Sequence, residues 1–196
     1  MGALATPARL SVEEYLALDR EAELKSEYHD GVLFPICAVS WAHGRLCSRL
    51  AHRLEERLEG GPCITAVSPV RVRVSRTKFL YPDIVVVCGQ PSFTDEHTDT
   101  ITNPKVILEV LSPSTQDYDY GTKFKLYREL ASLEEYVLVS QEAQRVEVFR
   151  RMGSQEWRLT RYDGPDTSLP FESMGISIPL SEIYSGIVDP SAAAAV

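Results

Sequence analysis

Glu109 sits where a carboxylate is least expected. It lies inside Lys105-Val106-Ile107-Leu108-Glu109-Val110-Leu111, an apolar run too short for a helix and ended by Ser112-Pro113. Such a run reads as a strand buried on both faces. An unpaired carboxylate there costs several kcal/mol even after relaxation, so a cation, a metal or a raised pKa must compensate it. A second run, Tyr81-Pro82-Asp83-Ile84-Val85-Val86-Val87-Cys88, has the same character and carries Asp83 near its head. Two acids on neighbouring buried strands can share one divalent metal through oxygen ligands.

Lys123 is the third member. A helix over about 118–131 puts Tyr120, Phe124, Leu126, Tyr127, Leu130 and Ala131 on one apolar face, with Lys123 near its middle. Lys125 and Arg128 fall away from that face. A lysine aimed at the sheet calls for a carboxylate to meet it. In a metal hydrolase it could hold the attacking water or neutralise the charge developing on phosphorus. The residues alone leave structural alternatives open: Glu109 and Lys123 could be a buried ion pair, and Asp83 could cap a turn after Pro82.

Other chemistries fit less well. The chain has no G-x-S-x-G elbow, no H-E-x-x-H pair and no G-x-G-x-x-G loop. His29, His43, His52 and His97 show no ligand spacing; His43, at the start of a basic helix, is the one placed to act. Cys37, Cys47, Cys63 and Cys88 form no zinc pattern. They read as free buried thiols in a reducing cytoplasm.

With 196 residues, 44% hydrophobic and 24% charged, the composition is that of a globular domain. It excludes a membrane span, a collagen-like or disordered chain and a secreted cystine scaffold. No signal peptide is read at the N-terminus. The net charge is −8, yet residues 42–78 hold eight basic residues against three acidic ones. Arg45, Arg49, Arg53 and Arg57 recur at helical spacing beside a stripe of Leu46, Leu50, Leu54 and Leu58. Val70-Arg71-Val72-Arg73-Val74 alternates as a strand with valines inward and arginines outward. Arg45, Arg49, Arg71 and Arg73 are therefore candidate phosphate contacts; a solvated polar face explains them as well.

The elements that must position these residues follow from the pattern. Ser11-Val12-Glu13-Glu14 is a capping box opening a short helix to about Leu18. Asp30-Gly31 joins two strands in a hairpin. The arginine–leucine helix runs from about Ala42 to Glu59 and stops at Gly60-Gly61-Pro62. Strands are expected over 63–67, 69–74, 81–88, 105–111, 135–140, 145–150 and 157–162, with a polar loop over 89–103 and a last helical turn over 180–183. Residues 1–189 read as one domain around a central mixed sheet, and residues 190–196 as a disordered tail.

Tyr81-Pro82-Asp83, then Glu109 on the next buried strand, then a lysine, resembles the PD-(D/E)XK nuclease superfamily. More closely, Tyr81 to Val87, the Glu109-Val110-Leu111-Ser112-Pro113-Ser114 segment, and Gly121-Thr122-Lys123-Phe124-Lys125-Leu126-Tyr127 with Glu135-Tyr136 resemble the Uma-type restriction endonuclease family. So do the Ser11 to Tyr15 helix start, Glu27 before Asp30-Gly31, and His43 opening the long helix. The likeness covers about 11–184. It implies an α/β (α+β) restriction-endonuclease-like mixed sheet flanked by helices, Mg²⁺-dependent (or Mn²⁺-dependent) hydrolysis of DNA phosphodiesters, and often a homodimer; the cytoplasmic reading rests on the cysteines. It makes Asp83 and Glu109 metal ligands and Glu27 an accessory acid. The superfamily lysine belongs two residues after the glutamate, where this chain has Leu111; Lys123 of the following helix takes its place. The rival expectations are an inactive nuclease-fold dimer that binds nucleic acid or protein, and a metal hydrolase of another phosphate ester.

Overall fold

The computed structural model of the chain describes residues 9–36 and 39–187. Helix α1 (Val12–Glu21) opens with the capping box: Ser11 N–H donates to Glu14 Oε2 at 2.7 Å and Glu14 N–H to Ser11 Oγ at 3.2 Å. Its buried face carries Tyr15 and Asp19. Strands β1 (Ser26–His29) and β2 (Val32–Pro35) form the expected hairpin. Asp30 and Gly31 both have positive φ, 50° and 97°, as a tight turn with right-handed strand twist demands.

Helix α2 (Trp41–Leu58) is capped by Ser40, whose Oγ accepts from His43 N–H at 3.1 Å. It buries Leu46, Leu50 and Leu54 completely, each worth about 1.5–3 kcal/mol relative to exposure.

The remaining strands are β3 (Cys63–Val67), β4 (Arg71–Ser75), β5 (Lys78–Leu80), β6 (Ile84–Cys88), β7 (Thr100–Ile101), β8 (Val106–Leu111), β9 (Glu135–Ser140), β10 (Arg145–Arg151), β11 (Trp157–Asp163), β12 (Ser168–Phe171) and β13 (Ile176–Pro179). They make a six-stranded mixed sheet in the order β11-β10-β9-β8-β6-β3, a five-stranded sheet β2-β1-β5-β4-β7 and a hairpin β12-β13. The β8–β9 pair is parallel and the other pairs of the larger sheet are antiparallel. The strands predicted for one sheet are thus shared between two. Strand β7 lies in the segment expected to be a polar loop, while β5 and β12-β13 carry too little alternation to stand out.

Period two sorts the core. Ile84, Val86, Leu108 and Val110 face α2, the β12-β13 hairpin and α4 (Leu180–Tyr184). Val85, Val87, Ile107 and Leu111 face the opposite layer, with Tyr127, Leu126 and the smaller sheet. Helix α3 (residues 116–127) closes that layer. It begins as one α turn, widens to a π-helical turn at Asp119–Lys123 and returns to α over Phe124–Tyr127. Tighter turns follow to Leu133 in place of the helix expected as far as Ala131.

Two side-chain expectations are corrected. Cys63 and Cys88 are joined by a disulfide, because the β3–β6 register sets them opposite each other with Cα atoms 3.9 Å apart. A separation of 25 residues hides that register from the sequence. Cys47 is a free, half-buried thiol, and Cys37 lies outside the described residues. Arg71 is not an outward phosphate contact. It is 2% exposed, pairs with Asp19 at 3.3 Å and with Asp99, and lies against the rings of Tyr15 and Tyr81. Helix α1 and the 95–99 loop cover that end of β4, so the alternation does not end in solvent. The expected tail, 190–196, also lies outside the described residues. Among the described residues no helix is long and apolar enough to cross a membrane.

Candidate functional site

Four elements converge where β6 and β8 meet the smaller sheet. Glu109 belongs to β8, on the face shared by Ile107 and Leu111, and is 2% exposed. Asp83 precedes β6 and keeps 19% of its side chain open. Glu27 comes from β1, and Lys123 from the π-helical turn of α3. That turn is the local device. A π turn adds a residue to a helical turn and re-aims its neighbours, so Asp119 and Lys123 both become buried.

Lys123 Nζ lies 2.9 Å from Glu109 Oε1, 3.4 Å from Asp119 Oδ1 and 3.6 Å from Glu27 Oε1. Tyr127 O–H also donates to Glu109 Oε1, at 3.2 Å. Glu27 is fixed by Tyr118 O–H on Oε2 at 2.6 Å and by Tyr81 N–H on Oε1 at 3.3 Å. Asp83 Oδ2 accepts from Val110 N–H at 2.7 Å and meets His43 Nε2 at 3.0 Å. His43 Nδ1 in turn lies 3.5 Å from Cys47 Sγ. Asp83 Oδ2 can accept from His43 Nε2–H, and the Cys47 thiol can donate to Nδ1.

Burial pushes Glu109 well above the usual carboxylate range. Lys123 pulls it down, and Asp83 and Asp119 push it further up. For Lys123, burial favours loss of the proton, but Glu109, Glu27, Asp119 and Asp83 together outweigh it and hold the ammonium well above the ordinary lysine value. Asp119 is raised too, chiefly by burial. One cation therefore faces a surplus of acids.

The hydrogen bonds to Asp83 and Glu109 each land on one oxygen. Among the described residues nothing donates to Asp83 Oδ1 or Glu109 Oε2. Leftover carboxylate oxygens beside a deficit of positive charge fit a hard divalent cation. The donor atoms that come within 4.8 Å of one another are those of His43, Cys47 and Asp83; Glu109 is not among them.

The structure thus brings together Asp83, Glu109, Lys123, Glu27 and His43. It adds Asp119, Tyr118, Tyr127 and Cys47, which the sequence did not single out. The separation of four between Asp119 and Lys123 was an available signal for the first. Of the basic candidates, Arg73 is exposed on β4. Arg45 and Arg49 lie against Gly186, and Arg49 donates to the Ser185 carbonyl at 2.9 Å. Arg53 and Arg57 reach Glu182 at 3.2 and 3.1 Å. Much of the stripe therefore braces the chain around α4.

This architecture is a nuclease-like fold. A solved structure titled "Crystal structure of a putative nuclease belonging to DUF820 from Anabaena variabilis ATCC 29413" superposes with a TM-score of 0.73, covering 91% of this chain and 99% of that one at 19% identity. The chain belongs to the Uma2 family, described as "Putative restriction endonuclease", which it matches over residues 12–181. Two relatives from Synechocystis sp. (strain ATCC 27184 / PCC 6803 / Kazusa) are both described as uncharacterized. The protein sll1609 is 34% identical over 90% of this chain and 100% of its own length. The protein slr1290 is 32% identical over 91% of this chain and 93% of its own.

Proposed function

We propose that the protein is a divalent-metal-dependent endonuclease that hydrolyses DNA phosphodiester bonds, with Asp83 and Glu109 holding Mg²⁺, or Mn²⁺ in its place. The observation that carries this reading is the pair of undonated oxygens, Asp83 Oδ1 and Glu109 Oε2, beside a single ammonium that faces three closer carboxylate contacts. When bound, the cation supplies Lewis-acid charge to a phosphate oxygen and acidifies a water.

The chain's own residues do the rest. Val110 N–H and His43 lock Asp83 through Oδ2, and Tyr127 and Lys123 lock Glu109 through Oε1, so both carboxylates are preorganised. Lys123 stays protonated, so it is not a general base. Its hydrogen bond to Glu109 leaves two N–H groups facing Asp119 at 3.4 Å and Glu27 at 3.6 Å, contacts long enough for a water or a phosphate oxygen to displace. Glu27, 3.6 Å from the ammonium, is the accessory acid. Arg73 is the exposed candidate for a backbone phosphate of the substrate. The family resemblance supports a homodimer as the working unit.

Incubation with supercoiled plasmid tests this. Nicking should require Mg²⁺ or Mn²⁺ and be abolished by Asp83→Ala and by Glu109→Ala, with both variants folded by circular dichroism. Cleavage retained in both variants would overturn the site. DNA binding with neither cleavage nor Mg²⁺ binding would mark a binding module instead.

A further inference from the structure

We infer that Cys47, His43 and Asp83 form a site for a thiophilic divalent cation such as Zn²⁺, which competes for Asp83 with the hard-metal site and switches that site off. The proposal shares Asp83 with the proposed nuclease centre. Binding itself does not depend on whether the chain cuts nucleic acid.

His43 and Cys47 are four residues apart on α2, one turn, so their side chains lie on one face. Asp83 reaches the same point from the head of β6. One ligand atom from each lies within 4.8 Å of the other two. A nitrogen, a sulfur and an oxygen make a donor set suited to tetrahedral Zn²⁺, with a fourth position left for water. Mg²⁺ prefers oxygen and octahedral geometry and has little use for a thiol. Hence two cation classes would use different neighbours of one carboxylate: Mg²⁺ the Asp83–Glu109 side, Zn²⁺ the Asp83–His43–Cys47 side.

The surroundings suit a cation that displaces a proton. His43 is 7% exposed and Cys47 half-buried, while Asp83 keeps an opening to solvent. On binding, the S–H bond breaks, its proton leaves to solvent and the sulfur bonds the cation. The negative charge of Asp83 faces the point where the cation would sit. Bound there, the cation takes up Asp83 and occupies the mouth of the acidic cluster.

Co²⁺ substitution under reducing conditions reads the site without any assay of activity. Titration of the full chain with Co²⁺ should give a thiolate-to-cobalt charge-transfer band and the visible bands of a tetrahedral centre. Zn²⁺ should displace it at stoichiometric amounts, and millimolar Mg²⁺ should not. Cys47→Ser should lose the charge-transfer band while melting at the wild-type temperature. His43→Gln should weaken Co²⁺ binding about 10-fold or more. In the cleavage assay Zn²⁺ should inhibit the wild type, and Cys47→Ser, measured against its own Zn²⁺-free rate, should need about 10-fold more Zn²⁺ for the same fractional inhibition. Absence of the band in the wild type, or its persistence in Cys47→Ser, overturns the site. A Cys47-dependent band in a protein that cleaves nothing supports the site and counts against the nuclease reading instead.

Discussion

Two buried glutamates on adjacent strands of one sheet have opposite surroundings. Glu135 heads β9 and is 1% exposed; Glu109 lies in the neighbouring β8 and is 2% exposed. The parallel register pairs Glu135 with Val106 and Glu109 with Leu138, so they stand three positions apart along the same ladder. Around Glu135 both oxygens are satisfied. Oε1 accepts from Arg150 Nε at 2.8 Å and Glu172 N–H at 3.0 Å, and Oε2 from Ser173 O–H at 2.8 Å. Arg150 donates in turn to the Tyr162 hydroxyl oxygen and the Pro170 carbonyl. Glu109 has two donors crowded on one oxygen and none among the described residues on the other. Its one cation is shared with Glu27 and Asp119. A closed network fixes a fold; an open one leaves valence for a ligand. Burial of a carboxylate alone therefore does not mark a functional site, whereas incomplete satisfaction does.

The contrast can be broken from either side. The largest effect is expected at the closed network. Arg150→Met leaves Glu135 without its cation and should cost about 3–5 kcal/mol in urea unfolding, with no recovery on adding Mg²⁺. A loss under 1 kcal/mol would show that the network is not closed as described. Lys123→Met should cost less, about 1–3 kcal/mol, because Glu109 can take up a proton instead of remaining charged. Millimolar Mg²⁺ should raise the melting temperature of this variant more than that of the wild type, since the dication can displace that proton from Glu109 and take the place of the ammonium. An equal shift in both would separate Lys123 from the cation site.

The smallest effect sharpens the comparison through pH. Burial raises the native pKa of Glu109 above its unfolded value near 4.5. Above the native pKa the charge is buried at full cost. As pH falls through it, the native state takes up a proton and stability rises, until the unfolded carboxyl also protonates near 4.5. Glu109→Gln lacks that charge, so without divalent cations it should equal or exceed the wild type at pH 7 by up to about 1 kcal/mol. The difference should shrink as pH approaches the ordinary carboxylate range. Stability curves that stay parallel across pH would place Glu109 in a satisfied environment like that of Glu135.

Asp83, Glu109 and Lys123 were legible because each breaks an apolar period, and a charge in such a place is an anomaly visible without coordinates. The capping box, the Asp-Gly hairpin and the leucine stripe of α2 were legible for the complementary reason: local rules act within a few residues. Asp119 was legible only through its separation of four from Lys123, and Tyr127 only as part of an apolar face; that Tyr118 and Tyr127 donate to Glu27 and Glu109 depends on strands far away in the chain. Cys47 reads as packing until His43 and Asp83 are seen beside it. Arg71 reads as exposed until Asp19 and Asp99, from distant parts of the chain, are found covering it.

The amino-acid order by itself determined the helices, most strands, and three charged residues that cannot rest in an apolar interior unpartnered. Tertiary structure alone decided how the strands divide between two sheets, that Cys63 bonds Cys88, and which oxygens of Asp83 and Glu109 are left without donors. Periodicity is set by neighbours along the chain, whereas satisfaction of a buried polar atom is set by groups tens of residues away that only packing brings within about 3 Å.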